Sequence, residues 1–231
     1  MASAIQDLAS PGSLCARLRA SCATDWTSYT RHAFVRGLGD GTLPEACFRH
    51  YLIQDYLFLI HFARAWALAA FKSDNLPDMR AAAAALSGIV DVEMGLHVAF
   101  CRGWGLTEAD MEAAPEAMET TAYTRYVMER GMAGDVLDLH VALAPCIVGY
   151  AEIGLALASA PSTKRDGNPY LPWIEMYSGA EYLDVARGAV AQLDRLAAAR
   201  GGDARFGDLA KTFAHATRLE AAFWQMGLDA A

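Results

Sequence analysis

The sequence predicts an all-α fold, a single-domain helical bundle, on three observations. Apolar residues recur at spacings of three and four along most of the chain, and the strict alternation of a half-buried strand is hard to find. Glycine, proline and asparagine gather in short breaks between these periodic stretches, where helices stop. No repeat, low-complexity run or linker divides the 231 residues. One large domain of that length can bury roughly 70% of the surface its unfolded chain exposes.

The elements follow in order. A first helix is predicted from Ser13 to about Arg36, with Leu14, Leu18, Trp26 and Phe34 among its apolar positions. It should stop at Gly37-Leu38-Gly39-Asp40-Gly41, a run that looks like a phosphate-binding glycine motif but lacks the preceding strand such a motif needs. We read it as a turn. A second helix should begin after Thr42, which with Glu45 has capping-box spacing, while Pro44 suits a first turn. It should run to about Phe71 and end before Asn75-Leu76-Pro77. A third is expected from Met79 to Gly103, a fourth from Glu116 to Gly131, and a fifth from Val136 to Ser159. Pro145 should kink the fifth, because it removes a backbone hydrogen bond. Pro161 to Pro172 reads as a surface loop, followed by a helix over Glu181–Arg200, a Gly201-Gly202 break and a last helix from Phe206 to Gly227.

Composition excludes several functions. Hydrophobic residues make up 54% of the chain, yet the longest apolar stretch, Leu52 to Phe71, contains Gln54, Asp55, His61 and Arg64. Each would cost a few kcal/mol at bilayer depth, so the stretch is expected to be a core helix and no membrane span is predicted. The start, Met-Ala-Ser-Ala-Ile-Gln-Asp, has no basic flank before an apolar block; no signal peptide is expected, and the location follows as cytoplasmic. The five cysteines (Cys15, Cys22, Cys47, Cys101 and Cys146) are scattered, odd in number and free of any Cys-x-x-Cys unit. They read as free thiols in a reducing compartment, not as a disulfide framework or a structural zinc site. A net charge of −8 argues against nucleic acid as a partner, since phosphates need clustered Lys and Arg.

Two carboxylates stand where apolar residues belong. On the second helix the stripe reads Phe48, Leu52, Leu59, Phe62, Trp66, and Asp55 fills the slot between Leu52 and Leu59. A charge there costs several kcal/mol unless it is paired, so Asp55 either ties down a neighbour structurally or serves a site. On the last helix Glu220 lies on the stripe of Phe206, Leu209, Phe213, Ala216 and Phe223. Two such acids on distant helices suggest one cavity holding titratable groups. The fifth helix supplies Cys146 and, four residues on, Tyr150 on the same face. Most buried cysteines are small core residues, and Cys47 and Cys101 keep that reading. Tyr123, Tyr150 and Tyr177 lie among apolar residues, and each hydroxyl needs a partner if buried. Glu93 and His97, four apart, read as a local hydrogen-bonded pair; a carboxylate-bridged di-iron site would need further Glu-x-x-His units that the sequence lacks.

With these residues located, the chain resembles the thiaminase II (TenA) family. The likeness is carried by Phe34-Val35-Arg36-Gly37-Leu38-Gly39-Asp40-Gly41-Thr42-Leu43-Pro44, Tyr51-Leu52-Ile53-Gln54-Asp55-Tyr56-Leu57-Phe58 and Glu93-Met94-Gly95-Leu96-His97. Further along come Leu143-Ala144-Pro145-Cys146, Met176-Tyr177-Ser178-Gly179 and Glu220-Ala221-Ala222-Phe223-Trp224, in the family's order. The resemblance implies a haem-oxygenase-like fold without haem or other cofactor or metal, and a homotetramer. It also implies hydrolysis of thiamin or of 4-amino-5-aminomethyl-2-methylpyrimidine to the 5-hydroxymethyl compound. By matching positions Cys146 is the nucleophile, Glu220 the proton donor, and Asp55 the residue gripping the amidine edge. Phe58, Tyr123, Tyr150 and Tyr177 match pocket positions, Phe58 standing where some members carry tyrosine. Cys146 matches the cysteine-containing branch.

The chemistry agrees with the residues. Thiolate addition makes the electron-poor ring rich enough to expel its substituent, splitting one hard step into easier ones. An acid that stays protonated in an apolar setting makes the ring the better electrophile. The alternatives are a cofactor- or metal-dependent oxidase on the same fold, and a non-enzymatic transcriptional regulator.

Overall fold

The computed structural model describes residues 8–231; the seven preceding residues, on which the absence of a signal peptide was read, lie outside the described part. Among the described residues every regular element is helical and none is a strand. They are α1 (Leu14–Ser21), α2 (Ala23–Thr30), α3 (Ala33–Asp40), α4 (Glu45–Lys72), α5 (Leu76–Ser87), a π-helical segment (Gly88–Glu93) and α6 (Met94–Arg102). Then come α7 (Glu108–Glu112), α8 (Met118–Ala133), α9 (Val136–Ser159), α10 (Leu171–Ser178), α11 (Ala180–Ala199) and α12 (Phe206–Leu228).

The long elements fall where the periodicity puts them, and the differences have local causes. The expected first helix is three short ones. Cys22 and Arg31 break the helical backbone between them, at φ −130° and −117°. The Gly37–Gly39 run is helical, as the last turn of α3, and the stop comes at Gly41, whose φ of 73° suits glycine. Thr42 does not cap α4; its hydroxyl donates to Asp40 instead, and Pro44 takes the N-cap position. Asn75 caps α5, accepting from the Asp78 backbone N–H, so that helix starts three residues before Met79. Two short helices, α7 and α10, were not foreseen. Pro172 sits in the first turn of α10, where a missing N–H costs nothing.

α9 is the centre of the bundle. It contacts α8, α10, α11 and α12 along its length, and also α2 and α4. α12 lies beside it, packed on α2, α4 and α8. One hydrophobic cluster runs from Leu8 to Met226 and includes the fully buried Trp173, Trp224, Tyr29, Tyr51, Tyr123 and Tyr177. Cys47 and Cys101 are buried within it, as expected of core thiols. The loop before α10 is pinned to the α3–α4 turn: Asn168 Nδ2 donates to the carbonyls of Leu38 and Gly39, and Tyr170 donates to that of Leu43.

α9 and the Leu76–Arg102 stretch are each long and apolar enough to cross a membrane. α9 is the covered core helix, with 72% of its most apolar window buried; for Leu76–Arg102 that share is 17%. The latter helix turns Ile89, Glu93, His97 and Cys101 inward at four-residue steps and leaves Val90, Val92 and Leu96 outside.

Candidate active site

One partly exposed residue within the buried stretch of the central helix locates the site. From Val136 to Gly154 every residue of α9 is buried except Cys146. Cys146 is therefore the one residue of that stretch left partly exposed, and the other four cysteines are buried. α4, the π-segment with α6, α8, α10 and α12 each bring a polar side chain towards it.

Asp55 of α4 is 4% exposed, and its Oδ2 accepts from the Tyr51 hydroxyl at 3.0 Å and bonds His97 Nε2 at 2.6 Å. Among the described residues no hydrogen bond reaches Oδ1, yet it is not sealed from solvent. The other His97 nitrogen, Nδ1, donates to the Glu93 carbonyl at 2.9 Å, because a carbonyl only accepts. Burial works to lower the basicity of His97, but the hydrogen bond and charge of Asp55 outweigh it and raise it. The pairing favours the protonated ring.

Around Tyr150, one turn beyond Cys146, the aromatic residues close a ring of contacts. Its hydroxyl lies 3.4 Å from that of Tyr51, and its ring meets those of Tyr177 at 4.8 Å and Trp224 at 5.3 Å. Trp173 Nε1 donates to the Tyr51 oxygen at 3.3 Å. Tyr177 donates to Glu93 Oε1 at 2.9 Å. Glu93 is four residues before His97, so the chain of contacts returns to Asp55.

Glu220 of α12 stands beside the Cys146 thiol and the Tyr29 hydroxyl and accepts from Tyr123 at 2.8 Å. Burial and the nearby Asp55 charge raise its carboxyl to about 8, against the pull of those hydrogen bonds, so it is a neutral acid at pH 7. The Cys146 thiol is itself pushed well above its ordinary value, first by burial and then by the charges of Glu220, Glu93 and Asp55. It rests as a thiol. Phe58 forms a wall: its ring packs on those of Tyr123 at 5.0 Å and Phe223 at 5.7 Å.

All seven residues singled out in the sequence therefore border one region of the bundle. Glu93 and His97 are a local hydrogen-bonded pair, as read, but through the Glu93 backbone carbonyl. Their side chains do not bond each other; His97 turns to Asp55 and Glu93 to Tyr177. The π-segment ending at Glu93 adds the extra residue per turn that aims these groups separately. Tyr51, Tyr29 and Trp173 were missed. Tyr51 was within reach, since it lies four residues before Asp55 on the same helical face, whereas Tyr29 and Trp173 arrive from distant elements. Among the described residues no group of three or more His, Cys, Asp or Glu side chains is arranged to hold a metal ion.

The chain is similar to several known proteins. The profile of the TENA/THI-4/PQQC family matches residues 19–230. The aminopyrimidine aminohydrolase of Halalkalibacterium halodurans is 34% identical over 204 residues, covering 88% of this chain and 90% of that protein. The putative hydroxymethylpyrimidine/phosphomethylpyrimidine kinase 2 of Schizosaccharomyces pombe is 34% identical over 200 residues, which are 87% of this chain but 36% of that protein. The crystal structure of a TenA family transcription regulator from Silicibacter sp. TM1040 superposes with a TM-score of 0.88 at 43% identity, covering 94% of this chain and 97% of that one.

Proposed function

The chain belongs to the TENA/THI-4/PQQC family, and on that premise we propose that it is an aminopyrimidine aminohydrolase, a thiaminase II. Its substrate is 4-amino-5-aminomethyl-2-methylpyrimidine or thiamin, and its product the 5-hydroxymethyl pyrimidine. The observation that carries the reading is Cys146, the one partly exposed residue between Val136 and Gly154, standing beside a Glu220 kept protonated at neutral pH. The kinase-named relative, in which a homologous segment is joined to a longer protein, fits a product of the hydroxymethylpyrimidine class.

Each residue has a part in this reaction. Asp55 Oδ1 accepts from the 4-amino group, while Tyr51 and His97 hold the carboxylate still through Oδ2. Glu220 gives its proton to the ring nitrogen on the far side and receives the thiol's, so its own charge is unchanged as sulfur adds to the adjacent ring carbon. The adduct, now electron-rich, releases the substituent from the methylene carbon. Water adds there, and the thiol leaves with its proton restored. Phe58, Tyr123, Tyr150 and Tyr177 pack on the faces and edge of the flat ring; a cationic ring is held best by such aromatic surfaces.

The test is turnover of thiamin and of the aminomethyl pyrimidine by the purified protein, with Cys146→Ala as control. Hydrolysis by the wild type and none by the folded variant is expected; full turnover by the variant would remove the nucleophile. Because a 43% identical protein is described as a transcription regulator, salt-dependent DNA binding should be measured alongside. A net charge of −8 predicts none. Metal analysis of the active protein addresses the oxidase alternative.

The reading extends to assembly and place. The apolar face bearing Val90, Val92 and Leu96, 49%, 60% and 38% exposed, suits the interface of a homotetramer. Light scattering should give four times 24.9 kDa, and the mass of a monomer would refute it. Five free thiols fit a reducing cytoplasm, which cell fractionation would check.

A further inference from the structure

Glu93 has no part in the reaction as set out above, and its position gives it one. It closes the π-segment, is half-buried, and its carboxylate is held by Tyr177 at 2.9 Å. The Tyr177 ring packs on Tyr150, one turn from Cys146, and His97, one turn beyond Glu93, holds Asp55. Through His97, whose ring bonds the Glu93 carbonyl and the Asp55 carboxylate, and through Tyr177, whose ring packs on Tyr150, Glu93 is grouped with Asp55. Glu220 is held separately, by Tyr123.

A bound aminopyrimidine must reproduce this grouping around its rim. With Glu220 at one ring nitrogen, the sulfur at the next carbon and Asp55 at the 4-amino group, a single ring position remains between sulfur and Asp55. That position is the carbon bearing the methylene and the leaving group. We infer that Glu93 is the general acid for the departing amine and the base for the incoming water. This assignment rests on the proposed aminohydrolase reading and names its substrate class: pyrimidines whose leaving group is a primary amine.

The protons balance. As the methylene carbon–nitrogen bond breaks, its electron pair goes to nitrogen, and Glu93 supplies the hydrogen that lets an amine leave as ammonia. The resulting carboxylate then takes a proton from the water that adds to the methylene carbon. Water enters, ammonia leaves, and Glu93 ends as it began. Burial, reinforced by the Asp55 charge, raises the Glu93 carboxyl, which favours the proton-carrying form this step starts from. Thiamin makes no such demand at departure, because its cationic thiazolium leaves as a neutral thiazole.

The two substrates therefore separate this role from a structural one. Glu93→Gln should lower kcat on the aminomethyl pyrimidine about a hundredfold, the scale of a lost general acid, and lower kcat on thiamin less than about tenfold. Glu93→Asp should recover part of the loss on the amine substrate alone. If Glu93→Gln does not fold, Tyr177→Phe, which removes the hydrogen bond that aims the carboxyl, should move the ratio of the two kcat values in the same direction. Equal losses on both substrates, or none on either, would overturn the assignment. A wild-type protein inactive on both would instead overturn the aminohydrolase reading beneath it.

Discussion

Glu220 offers the sharpest physical test, because its carboxyl is 2% exposed and its ionisation is linked to folding. The perturbation is Glu220→Gln, which keeps the shape and an acceptor for Tyr123 but cannot ionise. In the native protein the carboxyl holds its proton up to about pH 8, whereas in the unfolded chain it releases it near 4.5. Between those values the native state binds the extra proton, so stability falls as pH rises. The contribution is fully present below pH 4.5 and gone above about pH 8. At roughly 1.4 kcal/mol per pH unit, the rise from 4.5 to about 8 makes it about 5 kcal/mol in all. About 4 kcal/mol of this should be lost between about pH 5 and 9. The assay is urea unfolding of both proteins across that range, taking the wild-type minus variant difference at each pH so that groups common to both cancel. The difference should fall by about 4 kcal/mol. A difference flat to within about 1 kcal/mol would mean that the carboxyl ionises as it does in water, and the proton donor would be lost with it.

Two further outcomes follow from packing and access. Iodoacetamide under native conditions should label Cys146 and leave the four buried cysteines untouched; because burial holds the thiol protonated, the rate at pH 7 should be below that of free cysteine and climb with pH, and mass spectrometry showing first modification at Cys15 would contradict the structure. A Cβ at Gly154 would meet the Tyr177 carbonyl carbon at 2.5 Å and its oxygen at 2.6 Å, so Gly154→Ala should cost about 1–3 kcal/mol by overpacking and, by pushing α10 outward, lower turnover too. Unchanged denaturation and unchanged activity would show that the two helices have more room than this.

The long helices were legible because their burial is periodic, and burial is what the periodicity records. α4, α9 and α12 fall within a few residues of the spans the stripes predict, and Asp55 and Glu220 were visible as acids out of place on those stripes. The first helix was overextended for the same reason. A stripe with correct spacing runs through Cys22 and Arg31, but the breaks there are backbone turns that no side-chain pattern encodes. α7 and α10 are too short to show a period at all.

What the sequence determined by itself is the set of chemical parts: a thiol, two misplaced carboxylates, tyrosines lacking partners, and a chain of net charge −8. Those follow from residue identity and from the cost of burying polar groups. Tertiary structure decided which parts meet. That Cys146 alone is partly exposed between Val136 and Gly154, that His97 serves Asp55 while Glu93 serves Tyr177, and that Tyr29 and Trp173 reach the same group of side chains all depend on helices far apart in sequence. Protonation follows from that meeting as well. Glu220 is an ordinary glutamate in the sequence and a neutral acid at pH 7 only because packing strips away its water and sets Asp55 beside it.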